Sequence, residues 1–100
     1  MSLLQHRAFN RLYQKDKMTL GFTIPTARMS KYPIMENQLS LARKIEDHGF
    51  AALWLRDVMI QNLNIDDNGQ MYDVWIYLTY LAAHTKDIAL GTASVVLPLR

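Results

Sequence analysis

The sequence predicts an α/β fold built on a parallel sheet, and three observations predict it. Short apolar, strand-like runs at residues 18–25, 51–55 and 88–100 alternate with helical stripes at 33–48 and 74–84. Each connection between strand runs is far longer than a hairpin and holds a helix of crossover length, the signature of right-handed βαβ units. Turn residues punctuate the runs: Pro25 closes the first, Gly49 precedes the second and Pro98 closes the third. Element order is therefore a helix followed by β-α-β-α-β.

Leu4, Ala8 and Leu12 recur at helical spacing, with Phe9 and Tyr13 beside them, and predict a short amphipathic helix over residues 3–14. Residues 14–17 are polar and charged and read as a linker, so residues 1–17 form an N-terminal appendage to a unit at 18–100. The run M-T-L-G-F-T-I-P alternates as a strand does. Pro33 suits the first turn of the next helix, because its missing N–H would be unpaired there anyway. Met35, Leu39, Ala42 and Ile45 carry that helix's apolar stripe. Gly49 is placed to take the left-handed conformation that ends it, with Phe50 folding back in a Schellman ending.

The run A-A-L-W-L is a buried strand with Arg56-Asp57 at its C-terminal end, and Asp66-Asp67-Asn68-Gly69 marks a turn in the loop that follows. Asp73 can cap a helix over Val74 to His84. That helix is apolar nearly all round, with Thr79 its only non-apolar interior residue, so it needs cover on a second face. The final run, I-A-L-G-T-A-S-V-V-L-P-L-R, is β-branched and reads as a strand buried on both faces and ending in a kink. At Gly91 the absent Cβ lets backbone or ligand approach closely. Ligands of α/β folds bind at the C-terminal ends of strands, which makes the small residues Thr92, Ala93 and Ser94 one wall of a candidate site.

Composition removes several function classes. With 50% hydrophobic and 20% charged residues the chain has the makings of one small core. The formal charge is +2, but Lys and Arg are interspersed with Asp and Glu, so no nucleic-acid or membrane surface is expected. The lack of cysteine excludes disulfides, thiolate metal sites and Cys nucleophiles, and fits a cytoplasmic protein. No apolar run reaches the roughly 18 residues of a spanning helix, and no secretory leader is legible at the N-terminus.

Other motifs read as structural. Asn64, Asp66, Asn68 and Gly69 resemble the start of a calcium loop, but the twelfth position is Trp75 where a bidentate Glu is needed. His6, His48 and His84 are too scattered for a zinc motif, and the latter two suit the last turns of helices. Ser94 lacks a Gly-x-Ser-x-Gly elbow. Trp54 and Trp75 read as core residues. Asp57 reads as an acid/base group or the partner of a cation, and its place at a strand end favours a site role.

Three stretches in this order, G-F-A-A-L-W-L-R-D-V, Y-D-V-W-I-Y-L-T-Y-L-A-A-H-T and I-A-L-G-T-A-S-V-V-L-P-L-R, resemble the bacterial luciferase-like flavin oxidoreductases over residues 18–100. The resemblance implies a (β/α)8 TIM barrel, of which this chain supplies about the first three βα strands. It also implies a monooxygenase or oxidoreductase that binds reduced FMN, or a deazaflavin, at the C-terminal mouth and acts on a small organic substrate. A reductase would supply the flavin. By the same resemblance, the non-prolyl cis peptide common in the family falls at Ala93-Ser94, backing the isoalloxazine, and Asp57 is the acidic neighbour of the flavin. The family's phosphate-binding residues would lie after Arg100, so the isolated 100-residue chain is expected to be inactive. Early helices form the dimer interface of such barrels, which points to a homodimer through Val74 to His84; the N-terminal helix is the alternative cover.

One position departs from the family. Several luciferase-like enzymes carry an acid/base His where this chain has Val58, and valine transfers no proton. A non-catalytic flavin-binding barrel is accordingly the alternative. An isomerase or aldolase barrel ranks lower, because the strand ends offer only Arg56 and Asp57.

Overall fold

The computed structural model describes residues 2, 5–24, 36–58 and 72–99. It contains α1 (Arg7–Leu12), β1 (Gly21–Ile24), α2 (Gln38–Asp47), β2 (Ala52–Leu55), α3 (Val74–His84), β3 (Ala89–Thr92) and a 3-10 turn at Leu97–Leu99. The strands form a parallel sheet in the order β1-β2-β3. The register runs Gly21–Ala52–Ala89, Phe22–Leu53–Leu90, Thr23–Trp54–Gly91 and Ile24–Leu55–Thr92.

Alternation along the strands divides the sheet into two unlike faces. Phe22, Ile24, Leu53, Leu55 and Leu90 join Ala42 and Ile45 of α2, and Val74, Tyr77 and Leu81 of α3, in one core. Both crossover helices thus lie on the same face. The other face carries Gly21, Thr23, Ala52, Trp54, Ala89 and Gly91, and there Gly21 and Thr23 are exposed. Sequential strand order with both helices on one side is the arrangement of a barrel wall, whereas a doubly wound sheet reverses order and covers both faces.

The helix ends follow local chemistry. Asp73 Oδ1 accepts from the N–H groups of Trp75 and Ile76 at 3.0 and 3.1 Å, capping α3 where the sequence places the cap. Gly49 has φ +83°; its N–H donates to Glu46 O while the N–H of Phe50 donates to Ile45 O, the two bonds of a Schellman ending. His48 and His84 each hold Nδ1 within 2.8 Å of the carbonyl four residues earlier, so Nδ1 carries the proton.

Several boundaries differ from the sequence reading. The N-terminal helix spans only Arg7–Leu12: His6 offers no side-chain cap, Tyr13 leaves helical geometry, and Gln14 Nε2 turns back to Arg11 O. β1 starts at Gly21 because its partner starts at Ala52, the residues before it forming the turn that follows α2. β3 stops at Thr92, and the chain bends at Ala93 rather than running extended to Pro98. The turn at 66–69, Pro25 and Pro33 lie outside the described residues.

At the entry end of the sheet α1 packs against β3 and β2. Arg7 pairs with Asp87, Arg11 Nη2 donates to Phe50 O at 3.2 Å, and Thr19 Oγ1 donates to Leu12 O. The alternative cover for α3 is therefore not realised: Trp75 is 49% and Ile76 73% exposed.

Candidate functional site

The exits of β2 and β3 meet. The N–H of Ala93 donates to Leu55 O at 2.8 Å, a main-chain link just past the paired residues Leu55 and Thr92. Two residues on, Asp57 is only 5% exposed, and its Oδ2 accepts the N–H of Val96 at 2.9 Å. A residue of β2's exit thereby holds the segment that leaves β3. Ala93 and Ser94, between these two attachments, are exposed, and Val58 beside Asp57 is half-buried. Thr92 pairs with Leu55 and shares its side of the sheet, so it turns toward the helix layer.

The structure brings Asp57, Ala93 and Ser94 to one end of the sheet and explains Gly91 differently from the sequence reading. The space that its missing Cβ leaves is filled by the indole of Trp54 and not by a ligand. Trp54, read from the sequence as a core residue, lies half-buried on the face opposite the helices and outside the helix-side cluster. The pattern could not announce this, because the contact depends on the register of two strands.

A cavity of about 500 Å³ at the opposite, entry end is lined by Arg11, Lys17, His48 and Phe50 among others, and none of the predicted site residues reaches it. The exits are the better candidate, since strand C-termini carry the function in such folds. Among the described residues no group of His, Cys, Asp or Glu is placed to hold a metal ion, and no helix is long and apolar enough to cross a membrane.

Residues 18–100 match the family model of the luciferase-like monooxygenases. The chain belongs to the luciferase-like monooxygenase family. Membership makes its kind that of an oxidoreductase, and the family generally uses reduced flavin. No curated protein matches the chain. A flavin ring needs a low, flat wall with few projecting groups, and the exposed Ala93 and Ser94 at the bend offer one, so these luciferase-like exits fit the group.

Proposed function

We propose that the chain forms the first βα units of a (β/α)8 barrel that binds reduced FMN, with a deazaflavin as the alternative, and oxidises a small organic substrate. The observation carrying this reading is the junction of the β2 and β3 exits, where Asp57 holds Val96 and leaves Ala93 and Ser94 exposed in a luciferase-like sequence. When bound, reduced flavin supplies the electrons that activate dioxygen. The residues of this chain position it: the main chain at Ala93-Ser94 backs the ring, and the low side chains let the ring come close. Thr92 contributes the backbone that leads into that wall. Val58 moves no proton, so the acid/base group comes from elsewhere in the barrel.

The partner expectations belong to the same reading. A reductase delivers the flavin, and a second copy covers the open face of α3 in a two-fold dimer.

The test is NAD(P)H-linked oxygen uptake by the full-length protein with a reductase and FMN, and, for the deazaflavin alternative, substrate-dependent reduction of an oxidised deazaflavin followed by its absorbance. Substrate-dependent uptake supports a monooxygenase. Tight flavin binding without turnover on any aldehyde, sulfonate or alkane supports the second reading, a non-catalytic flavin-binding barrel, which Val58 favours.

A further inference from the structure

We infer that Asp57 is a positioning residue: its carboxylate sets the shape of the β3 exit and so the wall at Ala93-Ser94, a role that rests on the flavin reading above. The argument starts from register. Leu55 pairs with Thr92, and the N–H of Ala93 donates to Leu55 O. In a parallel ladder the bonds repeat every two residues, so a continuing pair would bring the N–H of Val95 to the main chain of Asp57. The structure instead brings the N–H of Val96 to Asp57, and to the side-chain Oδ2 at 2.9 Å. Past Ala93, where the backbone bends, the β2 side thus offers a side-chain acceptor in place of a main-chain one, and it is met one residue later than a regular ladder would require.

The carboxylate is suited to this task. Its side chain reaches past the point where main-chain pairing stops, it is almost wholly buried, and an N–H bond to a charged acceptor is stronger than one to a carbonyl. Without that acceptor the segment from Ala93 to Val96 would lose the anchor that lies beyond the Ala93–Leu55 bond. It could then either slip by one residue into a regular ladder or detach. Slippage would rotate successive side chains to opposite faces and remove the small-residue wall. Asp57 thus acts on a ligand through Val96 and the bend, and not by exchanging a proton with it.

The experiment compares the full-length wild type with Asp57→Asn and Asp57→Ala, reading amide hydrogen exchange at Val96 and binding of FMN by fluorescence quenching. Asn retains one acceptor oxygen, so Val96 should stay protected and FMN affinity should remain within about threefold of wild type. Ala removes the acceptor, so protection at Val96 should fall and FMN should bind at least about tenfold more weakly, with the protection of β2 and α3 retained. A pH profile of turnover that is the same in wild type and Asp57→Asn supports positioning. Equal loss of activity in both variants with Val96 still protected would overturn it and mark Asp57 as an acid/base group. If Asp57→Ala does not fold, the Asn variant decides alone: unprotected Val96 in wild type, or loss of the pH dependence in Asn, refutes the role. Wild type that binds no FMN and no deazaflavin refutes the flavin reading, while exchange at Val96 still reports whether the clamp exists.

Discussion

The indole of Trp54 lies against Gly91: a Cβ added to that glycine would stand 2.5 Å from Cζ3 and 2.8 Å from Cε3. Across the sheet a Cβ added to Gly21 would collide with Nε1 and Cδ1 of the same ring. One tryptophan on the middle strand therefore lies flat over both neighbours, its five-membered edge above β1 and its six-membered edge above β3. Neither glycine has positive φ, so the demand at both is for space and not for backbone freedom.

Gly91→Ala should accordingly cost about 1–3 kcal/mol, the range for overpacking a fitted contact. Turning the ring away from Gly91 is opposed at Gly21, which is why relaxation is limited. The measurement is urea unfolding of both single variants and the double variant with Trp54→Ala. In the Trp54→Ala background the cost of the added methyl should drop below about 0.5 kcal/mol, because the atom it strikes is gone.

Glu46, near the end of α2, ties the turn that starts β3. Its carboxylate accepts the N–H groups of Lys86, Asp87 and Ile88 at 2.8–3.0 Å. Burial pushes its pKa up, but the N–H bonds from Ile88, Asp87 and Lys86, with the charge of Arg11, outweigh this and hold it below the ordinary 4.5. The folded state thus prefers the ionised form. The stabilisation is present above the unfolded value and is lost as pH falls through the lower folded value. Denaturant midpoints of wild type should fall on acidification below about pH 4.5 more steeply than those of Glu46→Gln, which has no charge to lose. Glu46→Ala should cost about 1–3 kcal/mol at neutral pH, since it strips partners from N–H groups at the edge of the core.

Tyr77 and Gln38 join α3 to α2 inside the core: the hydroxyl donates to Gln38 Oε1 at 2.6 Å, and both residues are buried. Burial raises the Tyr77 pKa well above the ordinary phenol value of 10.0, with Tyr72 and Tyr80 adding to it. A raised folded value means stabilisation that is complete below the unfolded pKa and lost as pH rises through the folded one. Tyr77→Phe should cost about 1–3 kcal/mol by leaving a buried carbonyl oxygen alone, and Tyr77→Phe with Gln38→Leu should recover part of that. Thermal unfolding of the three variants checks both statements, and ultraviolet titration should show one tyrosine ionising with the alkaline unfolding transition.

Local signals proved readable where one residue type satisfies a local need. Asp73 caps α3 because a short acceptor before an apolar run meets its free N–H groups, and Gly49 ends α2 because a left-handed residue is required there. The element order and the parallel pairing followed from alternation of strands and helices. Illegible were facts that join distant positions. That Trp54 fills the space at Gly91, that Glu46 serves the turn before β3, and that Asp57 reaches Val96 all depend on register and on which helix lies over which strand. The strand at 88–100 was overextended for the same reason: its β-branched residues suit a strand, but pairing ends where β2 ends.

The face of α3 turned from the sheet is the one through which self-association is expected. Val74, Tyr77 and Leu81 are buried in the core, whereas Trp75, Ile76, Thr79, Ala82 and Ala83 are exposed on the single chain. Thr79 has turned its hydroxyl back to Trp75 O, so it adds no polar barrier to this face. Covering Trp75 and Ile76 would be worth roughly 2 kcal/mol each at about 25 cal/mol per Å² of apolar area. In a two-fold dimer each ring and its neighbour would be buried twice, once on each subunit. Light scattering of the full-length protein at micromolar concentration should therefore give a dimer. Ile76→Glu should shift it to monomer, because a carboxylate at that position would have to be buried unpaired against its symmetry mate. Its far-ultraviolet circular dichroism should stay that of wild type, since Ile76 is 73% exposed and contributes nothing to the core of its own subunit. A wild type that is monomeric at every concentration, or an Ile76→Glu variant of unchanged mass, would remove α3 from the interface.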